Sequence, residues 1–198
     1  MKPRSRAAQL WLQAFGSPDS VAAFPAQPRT FKQILDGALQ LARDAGCLSE
    51  AMRFIGEREA EVAAMRKSAD AERGGTVRGT VPPSAVCLIA QDPLVLGGYW
   101  LPDLLHLAGM TPVGLAAGDE HLQIAESYLA LLNPEVIVLL ESYPAPSVRA
   151  HSARKIFEAG GNVDLLSPGP DLYRAVLGLA EKVRDLGSRE DAKPLSNQ

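Results

Sequence analysis

Cysteine is scarce in this 198-residue chain: Cys47 and Cys87 are the only two. Two lone cysteines make neither a disulfide framework nor a zinc signature. Long apolar runs are missing as well, and none approaches the roughly 18 residues that a membrane span requires. Nor is there an excess of positive charge. Twenty basic against 23 acidic side chains leave a net charge of −3, so nothing points to broad binding of nucleic acid or anionic membrane. The three histidines, His106, His121 and His151, are scattered. His121 follows Asp119 and Glu120, yet no H-x-H, H-E-x-x-H or C-x-x-C spacing supports a metal site. Neither G-x-G-x-x-G nor the P-loop pattern occurs after any expected strand, which argues against a Rossmann dinucleotide site. Ser142 has no G-x-S-x-G elbow around it, and no nucleophile–base pair can be assembled. A non-enzymatic protein with no required cofactor is expected.

What is present is an ordinary globular composition, 46% hydrophobic and 22% charged, which rules out collagen-like, low-complexity and wholly disordered chains. The length suits one domain, or one domain with a helical segment attached. Three of the first six residues, Lys2, Arg4 and Arg6, are basic. The following stretch, Ala7 to Phe15, is short, carries Gln9 and Gln13, and leads to no clear cleavage site. No signal peptide is expected, and the chain as written is expected to stay in the cytoplasm.

The chain divides into segments of different character. Residues 1–83 read as a helical lead-in followed by a long helical spine. Ala7 to Phe15 suits a short helix. Thr30 and Gln33 form a capping box ahead of Phe31, Ile34, Leu35, Ala38, Leu39 and Ala42 at helical spacing. A second helix starts near Ser49, with Met52, Ile55, Val62 and Met65 on one side, and runs to about Glu72. Residues 84–187 alternate short apolar runs with amphipathic stretches. Strands are expected at Ala85–Ala90, Thr111–Gly114, Glu135–Leu140 and Asn162–Leu166. Helices are expected at Trp100–Leu107, at His121–Leu132, from Ser147 to Gly160-Gly161, and along the Leu172–Leu186 stripe up to Gly187. The fold class is therefore α/β, a three-layer, four-stranded parallel sheet covered on both faces. Residues 188–198 are polar and are expected to be a disordered tail.

In such a sheet, ligands bind beyond the carboxyl ends of the strands. The loop Gln91–Tyr99 contains Asp92, the Gly97-Gly98 pair and then Tyr99 and Trp100. Two glycines permit close backbone approach. The two aromatics either stack on a flat apolar ligand or anchor the next helix in the core. The third rim loop carries Glu141 and Tyr143, either cleft-facing or solvated. Leu115–Glu120 and Ser167–Pro170 complete the rim. Cys87 lies within a strand and reads as a buried small hydrophobe. Arg66, Lys67, Arg73 and Arg78 lack interleaved aromatics and read as a solvated face.

Several stretches match a known pattern. Asp92-Pro93, Gly97-Gly98-Tyr99-Trp100-Leu101-Pro102-Asp103 and Ala108-Gly109 resemble a segment of the periplasmic binding proteins that serve cobalamin and iron-siderophore ABC importers. Asn133-Pro134-Glu135-Val136-Ile137-Val138 resembles a strand of that family, and Ser167-Pro168-Gly169-Pro170 the turn before its last helix. The helices at 30–72 resemble the backbone that joins the family's two lobes. The resemblance spans about residues 30–187. It implies a Rossmann-like C-terminal lobe with its spine, lacking the family's N-terminal lobe. It also implies a ligand such as cobalamin, another tetrapyrrole or a siderophore. The wall that receives the ligand would come from Asp92, Gly98, Tyr99, Trp100, Glu141 and Tyr143. Asp103 stands where the family has a Glu that docks onto the permease, although a first-turn acid is also favoured by the helix dipole. Asp171 stands where the family's turn has Arg. The implied partners are an ABC permease or an absent N-terminal lobe, and a homo-oligomer is also implied if the spine exposes apolar surface. A chain that starts too late would be periplasmic rather than cytoplasmic. The other reading is a cytoplasmic α/β regulatory or partner-binding module that kept the fold without transport.

Overall fold

The structure is a computed structural model, and it describes residues 6–17, 24, 27–73, 81–140, 155–158 and 165–190. Three helices come first: α1 (Arg6–Ala14), α2 (Phe31–Asp44) and α3 (Leu48–Arg73). They begin and end where local chemistry dictates. Thr30 caps α2 by accepting from the Gln33 amide at 3.2 Å, and Gln33 Oε1 accepts from the Arg29 amide at 2.7 Å. Gly46, at φ +73°, supplies the left-handed turn between α2 and α3. On α3 the buried residues are Ala51, Ile55 and Val62, while Met52 is 62% exposed. Met52 therefore lies off the apolar stripe it was assigned to, because Ala51, one position earlier, is the residue in phase with Ile55.

The remaining elements are β1 (Ser84–Gln91), β2 (Leu94–Leu96), α4 (Leu101–Leu107), β3 (Thr111–Pro112), β4 (Leu122–Gln123), α5 (Glu126–Leu132), β5 (Val136–Leu139), β6 (Lys155–Glu158) and α6 (Asp171–Glu190). The sheet runs β4-β2-β1-β5-β6, with β3 pairing with the start of β1. The α/β class stands as expected from the sequence. The sheet is mixed, however, rather than four parallel strands. β3, β5 and β6 are parallel to their neighbours, whereas β2 and β4 are antiparallel.

Three expectations change for physical reasons. Asp92 and Pro93 form a two-residue turn that folds Leu94–Leu96 back onto β1, pairing Gln91 with Leu94 and Ala90 with Val95. The first rim loop is therefore mostly hairpin. Next, the helix expected from His121 begins only at Glu126. Leu122 and Gln123 instead pair with Leu96 and Val95, where they satisfy backbone groups that β2 would otherwise leave open. Finally, residues 162–164 of the strand expected at Asn162–Leu166 lie outside the described residues, while a parallel strand lies at Lys155–Glu158. Its Lys-Ile-Phe-Glu sequence puts β-branched and aromatic residues between charges, which suits an edge position. Leu165 and Leu166 lie in the turn that leads to α6. Of the helix expected from Ser147 to Gly160-Gly161, residues 155–158 form β6 instead, and residues 147–154 and 159–161 lie outside the described residues. The last helix continues past Gly187 to Glu190.

Strand alternation divides the core into two layers. Ala85 and Cys87 of β1, with Val136 and Val138 of β5, face the helices α1, α2, α3, α4 and α6. Val86, Leu88, Ile137 and Leu139 face α5 and the strand residues Leu94 and Leu96. Cys87 is 4% exposed, and burial pushes its thiol pKa far up, so it is an inert filler of the strand. The helices at 30–72 do not stand apart: Ile34, Leu41 and Val62 share one cluster with Leu104, Val176 and Val183. Among the described residues no helix is long and apolar enough to cross a membrane.

Candidate functional site

A cavity of about 920 Å³ opens at the carboxyl rim of the sheet. Its lining includes Gly98, Tyr99, Trp100, His121, Leu166 and Pro168, together with Ala7, Phe24 and residues 27–29 from the lead-in. The lead-in thus supplies part of a wall that the sequence did not suggest. The location is the one expected for an α/β sheet.

Backbone hydrogen bonds between two loops build the site. The Tyr99 amide donates to the Asp119 carbonyl at 2.6 Å, and the Gly118 amide donates to the Tyr99 carbonyl at 2.9 Å. Tyr99 therefore sits at φ +54°, a left-handed conformation unusual for a residue with a Cβ. Gly98 is required just before it. A Cβ there would lie 2.6 Å from the Glu120 carbonyl oxygen and still nearer that of Asp119. The Gly98 amide donates to His121 Nδ1 at 2.9 Å. The Tyr99 ring meets His121 edge-on, with centroids 4.6 Å apart and planes at 75°. It also stacks at 6.2 Å and 30° on Trp100. Trp100 is buried, and its indole N–H donates to the Leu165 carbonyl at 2.9 Å. Trp100 thus anchors the core, and its remaining exposed edge lines the cavity.

Charge at the rim comes from Arg29 and Glu120, paired at 3.1 Å and both well exposed. Asp119 Oδ2 accepts from the Ala116 amide at 2.8 Å, which closes its own turn. Burial lowers the His121 pKa from its ordinary value. The cavity is therefore an apolar, aromatic-floored pocket with an imidazole and an ion pair at its edge. It can hold a sizeable ligand and present hydrogen-bond donors to it, and among the described residues no nucleophile is hydrogen-bonded to a base there. Among the described residues no group of three or more His, Cys, Asp or Glu could hold a metal.

Of the residues singled out from the sequence, Gly98, Tyr99 and Trp100 meet in the cavity. Asp92 does not: it is exposed in the β1–β2 turn and outside the lining. Glu141 and Tyr143 lie outside the described residues. The Asp103 carboxylate accepts from the Phe31 amide, the first of α2, at 2.8 Å. His121 and Arg29 were missed as site residues. The signal for His121 was available, since the rim loop ending at Glu120 stops one residue short of it.

No protein-family model and no curated sequence matches the chain. Solved structures do. The chain is similar to the periplasmic vitamin B12 binding protein BtuF of Vibrio cholerae, with a TM-score of 0.59 and 13% identity, covering 84% of this chain and 66% of that one. It is also similar to the periplasmic heme-binding protein RhuT from Roseiflexus sp. RS-1, with a TM-score of 0.57 and 20% identity, over 94% and 73%. A third is the ABC-type Fe3+-hydroxamate transport system protein from Saccharomonospora viridis, with a TM-score of 0.53 and 16% identity, over 86% and 59%. The chain has a periplasmic-binding-protein fold. It spans less than two thirds of the length of the B12 and hydroxamate proteins. The family resemblance read from the rim and turn motifs thus has its counterpart in the fold.

Proposed function

We propose that the chain is a non-enzymatic solute-binding module of the kind that serves ABC importers, and that its rim cavity takes a large, apolar, ring-bearing solute. The observation that carries this reading is the aromatic floor of Tyr99 and Trp100 in a cavity of about 920 Å³, at the rim where α/β sheets bind ligands. That volume is near the upper end of the usual range for ligand pockets. The solutes named for the structural neighbours, vitamin B12, heme and a ferric hydroxamate, are the candidates to try first. Work in the periplasm and contact with a permease belong to the same proposal. Asp103, the residue read as the docking acid, has one carboxylate oxygen already engaged by α2.

The test is a titration of the protein with cobalamin, haem and a ferric hydroxamate siderophore, followed by absorbance and calorimetry. Saturable binding of one of them is expected. No response to any of the three at high micromolar concentration would remove solute capture by this chain alone.

A further inference from the structure

Resting on the binding reading above, we propose that His121 contacts the solute as a hydrogen-bond donor through Nε2–H, reading an acceptor oxygen such as a carboxylate, and does not ligate a metal.

The Gly98 N–H points at His121 Nδ1 from 2.9 Å. A backbone amide only donates, so Nδ1 must offer its lone pair. The proton of the neutral ring is then on Nε2. A metal-ligating histidine has the opposite arrangement: its free nitrogen binds the metal while the other N–H donates to a carbonyl or carboxylate. The amide cannot readily turn away. The Tyr99 amide next to it is held by the Asp119 carbonyl at 2.6 Å, and Gly118 donates back to the Tyr99 carbonyl at 2.9 Å.

Among the described residues Nε2 has no hydrogen-bond partner, and the ring lines the cavity. The nearby acids are otherwise engaged: Asp119 with the Ala116 amide and Glu120 with Arg29. Burial lowers the imidazole pKa, which favours the neutral ring near pH 7. The donor therefore stands beside the Tyr99 ring, and Arg29 lies at the same rim as a second donor. A flat apolar body over the aromatics, with an oxygen at its edge, satisfies both surfaces.

Two measurements test this. Long-range 15N–1H correlation on the free protein should show His121 neutral and protonated at Nε2, and a proton on Nδ1 would overturn the inference whatever the protein binds. Haem and metal-free protoporphyrin IX, both carrying carboxylates, should bind within about threefold of each other. His121→Asn keeps an oxygen that can accept from the Gly98 amide but lacks the distal donor. It should weaken both porphyrins about tenfold, the scale of one hydrogen bond to a charged acceptor. Haem binding far tighter than the metal-free ring, with a Soret shift lost in the variant, would overturn the inference and leave the binding function standing. Equal affinity of variant and parent for both porphyrins would also overturn it. No binding of haem, cobalamin or ferric siderophore would take down the functional reading itself.

Discussion

The indole N–H of Trp11 donates to the Pro168 carbonyl at 2.8 Å, tying the first helix to the turn before the last. Trp11 is fully buried and packs against Phe15 and Phe54, with ring centroids 5.5 and 6.3 Å away. Gly169 leaves room for Leu10 at the same turn. α1 is thus part of the core and sets the position of one rim segment. Trp11→Phe keeps most of the apolar bulk and removes the hydrogen bond, so it should cost about 1 kcal/mol. Trp11→Ala should cost about 3–5 kcal/mol. Urea unfolding followed by circular dichroism measures both. Equal losses from the two variants would show that the hydrogen bond, rather than the packing, carries the effect.

Asp103 is an inter-helix cap as well as a first-turn acid of α4. Its Oδ2 accepts from the Phe31 amide at 2.8 Å, one of the donors left open at the start of α2. Asp103→Ala should lower stability by about 1 kcal/mol, as the loss of a helix cap does. Asp103→Asn keeps an acceptor and should lose less. Thermal unfolding of the three proteins checks the order. A destabilisation by Asn as large as that by Ala would mean that the charge, rather than the hydrogen bond, holds α2 against α4.

Tertiary closure decided which parts of this molecule could be read from its sequence. Apolar runs such as Ala85–Ala90 and Val136–Ile137-Val138 announced buried strands, and the Thr30–Gln33 box announced α2, because these signals are local. Tyr99 and Trp100 could be placed at the rim because a strand and a glycine pair precede them. β4 was hidden, since Leu122-Gln123 has helical company and becomes a strand only when β2 offers an open edge. Arg29 was hidden for the same reason: nothing near it in sequence reveals that it meets Glu120. Trp11 looked like part of a lead-in, because its partners Phe54 and Pro168 are far along the chain.

His121 makes the site sensitive to acid. Burial lowers its pKa in the folded protein, whereas the unfolded chain titrates near the ordinary value of about 6.5. Below that value the unfolded state binds the proton more readily. This contribution to stability is therefore fully present above about pH 6.5 and is lost as pH falls through the lowered folded value. Protonation also gives Nδ1 a hydrogen that faces the Gly98 amide, so the two rim loops should separate. Denaturant unfolding at about pH 7.5 and about pH 5 should show a decline that is smaller in His121→Asn. An identical decline in both proteins would assign the acid sensitivity to other groups.

Tyr99 holds a backbone conformation that costs a non-glycine residue about 1–2 kcal/mol, and it does so in the cavity wall. Strain of this kind at a pocket points to a side chain kept for contact rather than for folding. Tyr99→Gly relieves the strain and removes the ring that lies between Trp100 and His121. The two effects oppose each other in folding, so net stability should change by less than about 1 kcal/mol. They do not oppose each other in binding, where the relief of strain contributes nothing and the lost ring leaves a ligand half supported. Affinity for the porphyrin probe should fall about tenfold or more, as when an aromatic anchor is removed. Tyr99→Phe keeps both ring and strain and should bind nearly as the parent does. If Tyr99→Gly unfolds more easily yet binds as tightly as the parent, the ring belongs to the core of the rim and the ligand wall must be sought elsewhere.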